Sequence, residues 1–219
     1  MSDYIDSAGV YVYGARIQGK VDLSDCKTDV PLRIRNSEIL DGLKLSNAEL
    51  RALDLGGSRT SRIEAEDITI HGDVDLGDKF HATDTVDFSG ARIGGTVTCS
   101  DGSFDGGLDR KAKTEALSLN NANIKGEVDL EGLTARSEVD LIGLHTGGDV
   151  DGSSAHLLNA GADALSLDAA QIGGDVILHK ASRRKGWSAS WGRMSPGISI
   201  ARADHFPTRM VMQLMHMFR

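Results

Sequence analysis

The chain has 219 residues, of which 40% are hydrophobic, 26% charged and only 5% aromatic, and its formal net charge is −8. That length fits one domain with a continuous apolar interior, and the scarcity of rings points to an interior too narrow for them. Two cysteines make no disulfide framework, and no run of about 20 apolar residues is present to cross a membrane.

The predicted elements follow one fourteen-residue pattern, apolar-x-apolar-x-x-Ala-x-Ile-x-Gly-x-Val-x-Leu. Copies begin at Val10, Ile63, Val86, Leu117, Val139 and Leu165, and a further one near Leu32 has its glycine, Gly42, one place late. Apolar residues at every second position are the signature of strands. Thus Ile124, Gly126, Val128 and Leu130 share one face, and Lys125, Glu127 and Asp129 share the other. The alternation breaks once per unit, as between Leu119 and Ala122, and such a slip places a corner there. Short straight runs separated by corners and repeated in register predict an all-β fold, a single-chain parallel β-helix of about seven coils. Successive coils then stack about 4.8 Å apart, with Ala and Gly where the interior is tight.

Glycines 19, 42, 72, 95, 126, 148 and 174 mark the coils, in steps of 23, 30, 23, 31, 22 and 26 residues. The longer steps carry extra residues at Gly56–Arg62, Asp105–Thr114 and Leu157–Asp163, predicting loops on one side of every second coil. Loops on one face of a repeat array are where binding residues concentrate, and Arg59, Arg62, Arg110, Lys111 and Lys113 make this the candidate interaction face. No six-residue apolar period supports a left-handed hexapeptide helix. Nor is there an Asn ladder with a helical arc, as leucine-rich repeats require.

The repeat domain spans residues 1–180, and a basic non-repeat tail, irregular or helical, spans 181–219. The tail holds seven Lys or Arg against one acid, Asp204, which leaves 17 basic and 31 acidic residues in the first 180. It also holds Trp187, Trp191 and the apolar stretch Met210–Phe218. Three readings compete for it: a cap on the last coil's open edge, a segment lying on a membrane surface, or out-of-frame sequence. Composition and periodicity change together after Lys180, which favours the third. Met1–Gly14 lacks the basic start and apolar run of a signal peptide, so the expected location is cytoplasmic.

Motifs for chemistry are absent. Gly90-Ala91-Arg92-Ile93-Gly94-Gly95 has its glycines within a strand pattern, not opening a helix, and no Walker loop or Gly-x-Ser-x-Gly elbow exists. The seven histidines lack metal-ligand spacing, although stacking leaves open a meeting of His81 or His145 with carboxylates of other coils. The reading therefore names no catalytic, cofactor-binding or metal residue and expects no cofactor. Cys99 occupies an inward position as a small hydrophobe, and Cys26 lies just past a strand end. Asp22, Asp75, Asp129, Asp140, Asp149 and Asp151 sit between apolar residues and point outward. Asp22, Asp75 and Asp129 occupy the same place in the unit, predicting an acidic stripe suited to solubility, a cation or a basic partner.

The stretches Gly14-Ala15-Arg16-Ile17-Gln18-Gly19, Gly90–Gly95 and Ala170-Gln171-Ile172-Gly173-Gly174-Asp175-Val176 resemble a family of bacterial repeat proteins with strings of Gly-Ala-x-Ile-Gly-Gly-x-Leu units. The resemblance covers residues 10–180 and implies the solenoid. Members are often catalogued as membrane-associated oxidoreductases, an activity the resemblance carries without any cofactor motif. A looser similarity is to pentapeptide-repeat proteins, from whose five-residue rule this chain departs at Glu127.

The function expected is a non-catalytic structural or interaction module, an acidic rod presenting loops to a macromolecular partner. The alternatives are a DNA mimic that inhibits a DNA-binding enzyme and the oxidoreductase of the family label. The expected partner is a protein, direct binding of nucleic acid by this chain is not expected, and open end coils favour end-to-end self-association.

Overall fold

The computed structural model describes residues 9–107, 115–159, 163–179, 181–183, 188–190 and 200–201. They wind into a parallel β-solenoid of about seven turns with four faces visited in fixed order. In the first turn β1 (Val10–Tyr13) lies on face A, β2 (Arg16–Ile17) on face B and β3 (Val21–Asp22) on face C. Face D opens with the Lys27–Glu49 bridge, and β4 (Leu32–Arg35) returns the chain to face A. Face A grows to nine strands, faces B and C to eight each, and face D to six.

The two-residue period explains why the column closes. On face A, Leu53, Val74, Val97, Val128 and Val150 stack in register with their side chains inward, and all are buried. Equivalent ladders on the other faces meet them, forming one apolar column from Leu32 to Leu178. Each Val, Leu or Ile enclosed contributes about 1.5–3 kcal/mol. Phe80, Phe88 and Phe104 are fully buried, and the Phe80 and Phe104 rings lie 5.5 Å apart.

The predicted corner between Leu119 and Ala122 is a β-turn. The Ala122 N–H donates to the Leu119 carbonyl at 3.0 Å, and Asn121 has φ 53°. A positive φ at the third residue is the type II geometry that selects Gly, Asn or Asp. Such turns recur at the A-to-B and C-to-D corners. The D-to-A corner is different: Gly72, Gly95, Gly126, Gly148 and Gly174 stack, the Gly72 N–H donating to the Arg51 carbonyl at 2.7 Å and each later N–H to the preceding glycine's carbonyl at 2.8–3.0 Å.

One part of the sequence phasing is corrected. Gly19 and Gly42 precede Val21 and Leu43 on face C, whereas Gly72 precedes Val74 on face A. The step of 30 residues therefore joins two different corners. Leu32, Leu53 and Val74 are each 21 residues apart, and Gly56–Arg62 is no insertion: it holds a turn and the face B strand Arg59–Thr60. Both half-turns of a coil use the same apolar spacing, which hides their phase in one dimension. The other two insertions do fall at one corner, B to C, in alternate turns, between Phe104 and Glu115 and between Leu157 and Asp163. Residues 108–114 and 160–162 lie outside the described set.

Parallel pairing also runs past residue 180, where the apolar rhythm ends. Ser182–Arg183 pairs with His156–Leu157, Ser188–Ser190 with the strand at Asp163–Ser166, and Ile200–Ala201 with Val176–Ile177. The sequence reading expected no resumed strands there. The rest of 181–219, including Trp187, Trp191 and Met210–Phe218, is outside the described residues. No helix among the described residues is long and apolar enough to cross a membrane.

Candidate interaction faces

The outward residues divide by charge. Face A carries Asp54, Asp75, Thr98, Asp129 and Asp151 in successive turns. Face C carries Asp22, Lys44, Glu64 and Asp87, followed by Ser118 and Asp140, which are buried, so the expected outward Asp140 is not on the surface. Face B instead carries Arg16, Glu38, Arg59, His81, Ser103 and Thr134. Face D runs from Glu49 through Thr69, Arg92, Asn123 and His145 to Gln171, without a carboxylate after Glu49. Acids thus dominate A and C, which alternate with B and D around the rod.

The cause is turn chemistry. On face A the Oδ1 atoms of Asp54, Asp75, Asp129 and Asp151 accept the N–H two residues on, from Gly56, Gly77, Glu131 and Ser153, at 2.8–3.1 Å. On face C, Asp22, Asp87 and Asp140 do the same for Ser24, Ser89 and Ile142 at 2.8–3.0 Å. An aspartate that caps its own turn suits the last strand position before a type II corner. The expected stripe therefore exists in altered form. Asp75 and Asp129 lie on face A with Thr98 between them, Asp54 and Asp151 extend that ladder, and Asp22 stands on face C. Asp54 and Asp87 were missed by sequence reasoning; an Asp two residues before a turn glycine or serine is the signal that would have found them.

Crowding is visible on face A. Burial pushes the Asp75 carboxyl above the ordinary aspartate range, and the charges of Asp54 and Asp78 add to it, against the Gly77 N–H and Arg35. Arg35 bonds to Asp78 and lies 3.4 Å from Asp54, partly neutralising the first turns. On face C the exposed Asp22 is held low by its hydrogen bonds with Ser24.

The predicted basic face resolves into internal pairs. Arg62 contacts Asp84 at 3.2 Å and Glu64 at 3.9 Å. The Arg59 guanidinium donates to His81 Nδ1 at 3.0 Å, because a guanidinium has no acceptor. His81 therefore holds its hydrogen on Nε2, which donates to Asp105 at 3.1 Å, and Arg136 donates to the other Asp105 oxygen at 2.9 Å. Arg62 is thus ion-paired, whereas Arg59 stands on a strand, exposed and hydrogen-bonded to a neutral imidazole. Arg110, Lys111 and Lys113 lie outside the described residues.

Further pairs, Arg16–Glu38 at 3.2 Å and Lys44–Glu64 at 2.9 Å, tie adjacent turns. On face D, a shallow trough of about 490 Å³ runs over Gly147 and Gly173 between Asn123, Lys125, His145 and Gln171. His145 Nδ1 donates to the Gly143 carbonyl at 2.9 Å. Among the described residues no three His, Cys, Asp or Glu side chains converge as a metal site would require.

Together these features define a four-faced parallel β-solenoid with two acidic and two mixed or basic faces. No family model, curated protein or solved structure matches the chain.

Proposed function

We propose that this chain is a non-catalytic interaction module, a rigid rod whose acidic faces meet a basic surface on a macromolecular partner. The observation that supports this reading is the register of Asp54, Asp75, Asp129 and Asp151 on face A. Their Oδ1 atoms are fixed by backbone N–H groups, so two pairs of like charges, Asp54 with Asp75 and Asp129 with Asp151, are each held at the solenoid pitch of about 4.8 Å, with Thr98 between the pairs. A fixed row loses little side-chain entropy on binding and attracts cations over a Debye length of about 8 Å. A DNA mimic is the narrower form of this reading, in which the basic surface is the groove of a DNA-binding enzyme.

The test is binding to immobilised poly-L-lysine at near-physiological salt. Asn keeps the turn-capping oxygen and removes the charge. Asp→Asn at positions 54, 75, 129 and 151 together is expected to weaken binding more than about tenfold. A control with Glu38, Glu49, Glu66 and Glu127 changed to Gln removes the same charge from elsewhere. Equal losses in the two variants mean that net charge alone drives binding, and the face A reading fails.

A further inference from the structure

Strand β1 begins face A and, among the described residues, is paired only on its β4 side. The Val10 N–H donates to the Pro31 carbonyl at 3.0 Å and the Gly14 N–H to the Arg35 carbonyl at 3.1 Å. Backbone polar groups alternate sides along a strand, so the N–H and C=O groups of Tyr11 and Tyr13 face the opposite, open edge. The side chains there are exposed as well. Val10, Tyr11 and Tyr13, at 45%, 62% and 65%, are the exposed large hydrophobic residues of the described chain. Val12, Ile17, Val21 and Leu23 are only partly buried, whereas Ile34, Ile39, Leu43 and Leu45 one turn on are enclosed. Edge strands are normally blunted by charge, proline or a bulge, and Val10–Tyr13 has none of these.

We infer that two copies of this chain pair head to head through β1, antiparallel about a two-fold axis at Val12. That register sets Tyr11 opposite Tyr13 of the second copy. The N–H and C=O groups of each Tyr11 exchange hydrogen bonds with those of the facing Tyr13, using the donors and acceptors that point away from β4. The tyrosine rings then form cross-strand pairs on the outer face, and Val12 meets Val12 on the inner one.

Charge selects a second copy at this end. The first turn, Val10–Pro31, carries Arg16, Lys20 and Lys27 against Asp22, Asp25 and Asp29, so it has no net charge. Elsewhere the first 180 residues are strongly acidic, and copies meeting through faces A or C repel. A two-fold contact closes on itself as a dimer, whereas a head-to-tail contact would propagate into filaments.

Light scattering coupled to size exclusion tests this on the full chain. Across about 1–100 µM the expected species has twice the 23.3 kDa chain mass. The double variant Tyr11→Asp, Tyr13→Asp changes two exposed outward side chains and is expected to weaken the dimer by at least about tenfold while its circular dichroism stays unchanged. Facing Val12 Cα atoms would lie about 4.5 Å apart, within disulfide reach, so in a Cys26→Ser background Val12→Cys should cross-link on mild oxidation where Thr69→Cys on face D does not. A monomer throughout the range, a mass that climbs beyond the dimer, or a dimer indifferent to the tyrosine variant would each overturn the inference.

Discussion

Gly126 lies directly against Gly95, its N–H donating to the Gly95 carbonyl at 2.9 Å, and a Cβ at position 126 would stand 2.7 Å from that same oxygen. The stacked corner thus admits no side chain. Gly126→Ala is expected to destabilise by about 1–3 kcal/mol through overpacking. At Gly19 the space is open, and a φ of +86° leaves only conformational strain, so Gly19→Ala should cost about 1–2 kcal/mol. Urea unfolding of the two variants checks the order; a Gly126→Ala protein as stable as its parent would refute the close-packed corner.

The capping aspartates separate geometry from charge. Asp129 Oδ1 accepts the Glu131 N–H at 2.9 Å. Asp129→Ala removes that acceptor and should cost about 1 kcal/mol, while Asp129→Asn retains it and should cost much less. Equal destabilisation by both changes, measured in urea, would show that the carboxylate charge matters more than the turn.

Asp75 carries a pH dependence of definite sign. Its carboxyl is raised in the folded chain, first by burial and then by Asp54 and Asp78. The native state therefore binds the proton more readily than the unfolded chain, and stability falls as pH rises through the window between the ordinary and the raised value. Asp75→Asn should stabilise the protein at neutral pH, with the gain vanishing in acid below the ordinary aspartate range. Melting curves of both proteins at neutral and acid pH provide the comparison.

The cysteines differ in accessibility. Cys99 is buried in the column, and burial raises its thiol far above the usual range, whereas Cys26 is half-exposed. A thiol reagent should modify one cysteine per native chain and two after denaturation, since the thiolate is the reacting species. Rapid modification of both in the native protein would contradict the enclosed position of Cys99.

The winding was legible because its cause is local. Alternation at Ile124–Leu130, the slip between Leu119 and Ala122 and the recurring glycines each follow from backbone geometry that neighbouring residues impose. What stayed hidden was which face each copy occupies. Val10-x-Val12 and Val86-x-Phe88 read alike, yet the first opens on face A and the second on face C. Only pairing between turns distinguishes them, which is why the sequence by itself groups Asp22 with Asp75 and reads Gly56–Arg62 as an insertion. The same pairing exposes contacts that span a whole turn, such as Arg62 with Asp84, which sequence adjacency does not suggest.

The B-to-C corner has an engineering consequence. Val97 and Val128 are 31 positions apart where Val74 and Val97 are 23, yet both pairs stack in register, so the added length leaves the winding undisturbed. A foreign peptide spliced between Phe104 and Glu115, or between Leu157 and Asp163, should likewise be carried outward at a fixed height on the rod. Two such grafts, two turns apart, would sit about 10 Å from one another along the axis. The chain thus offers a ruler on which binding segments can be mounted at chosen heights.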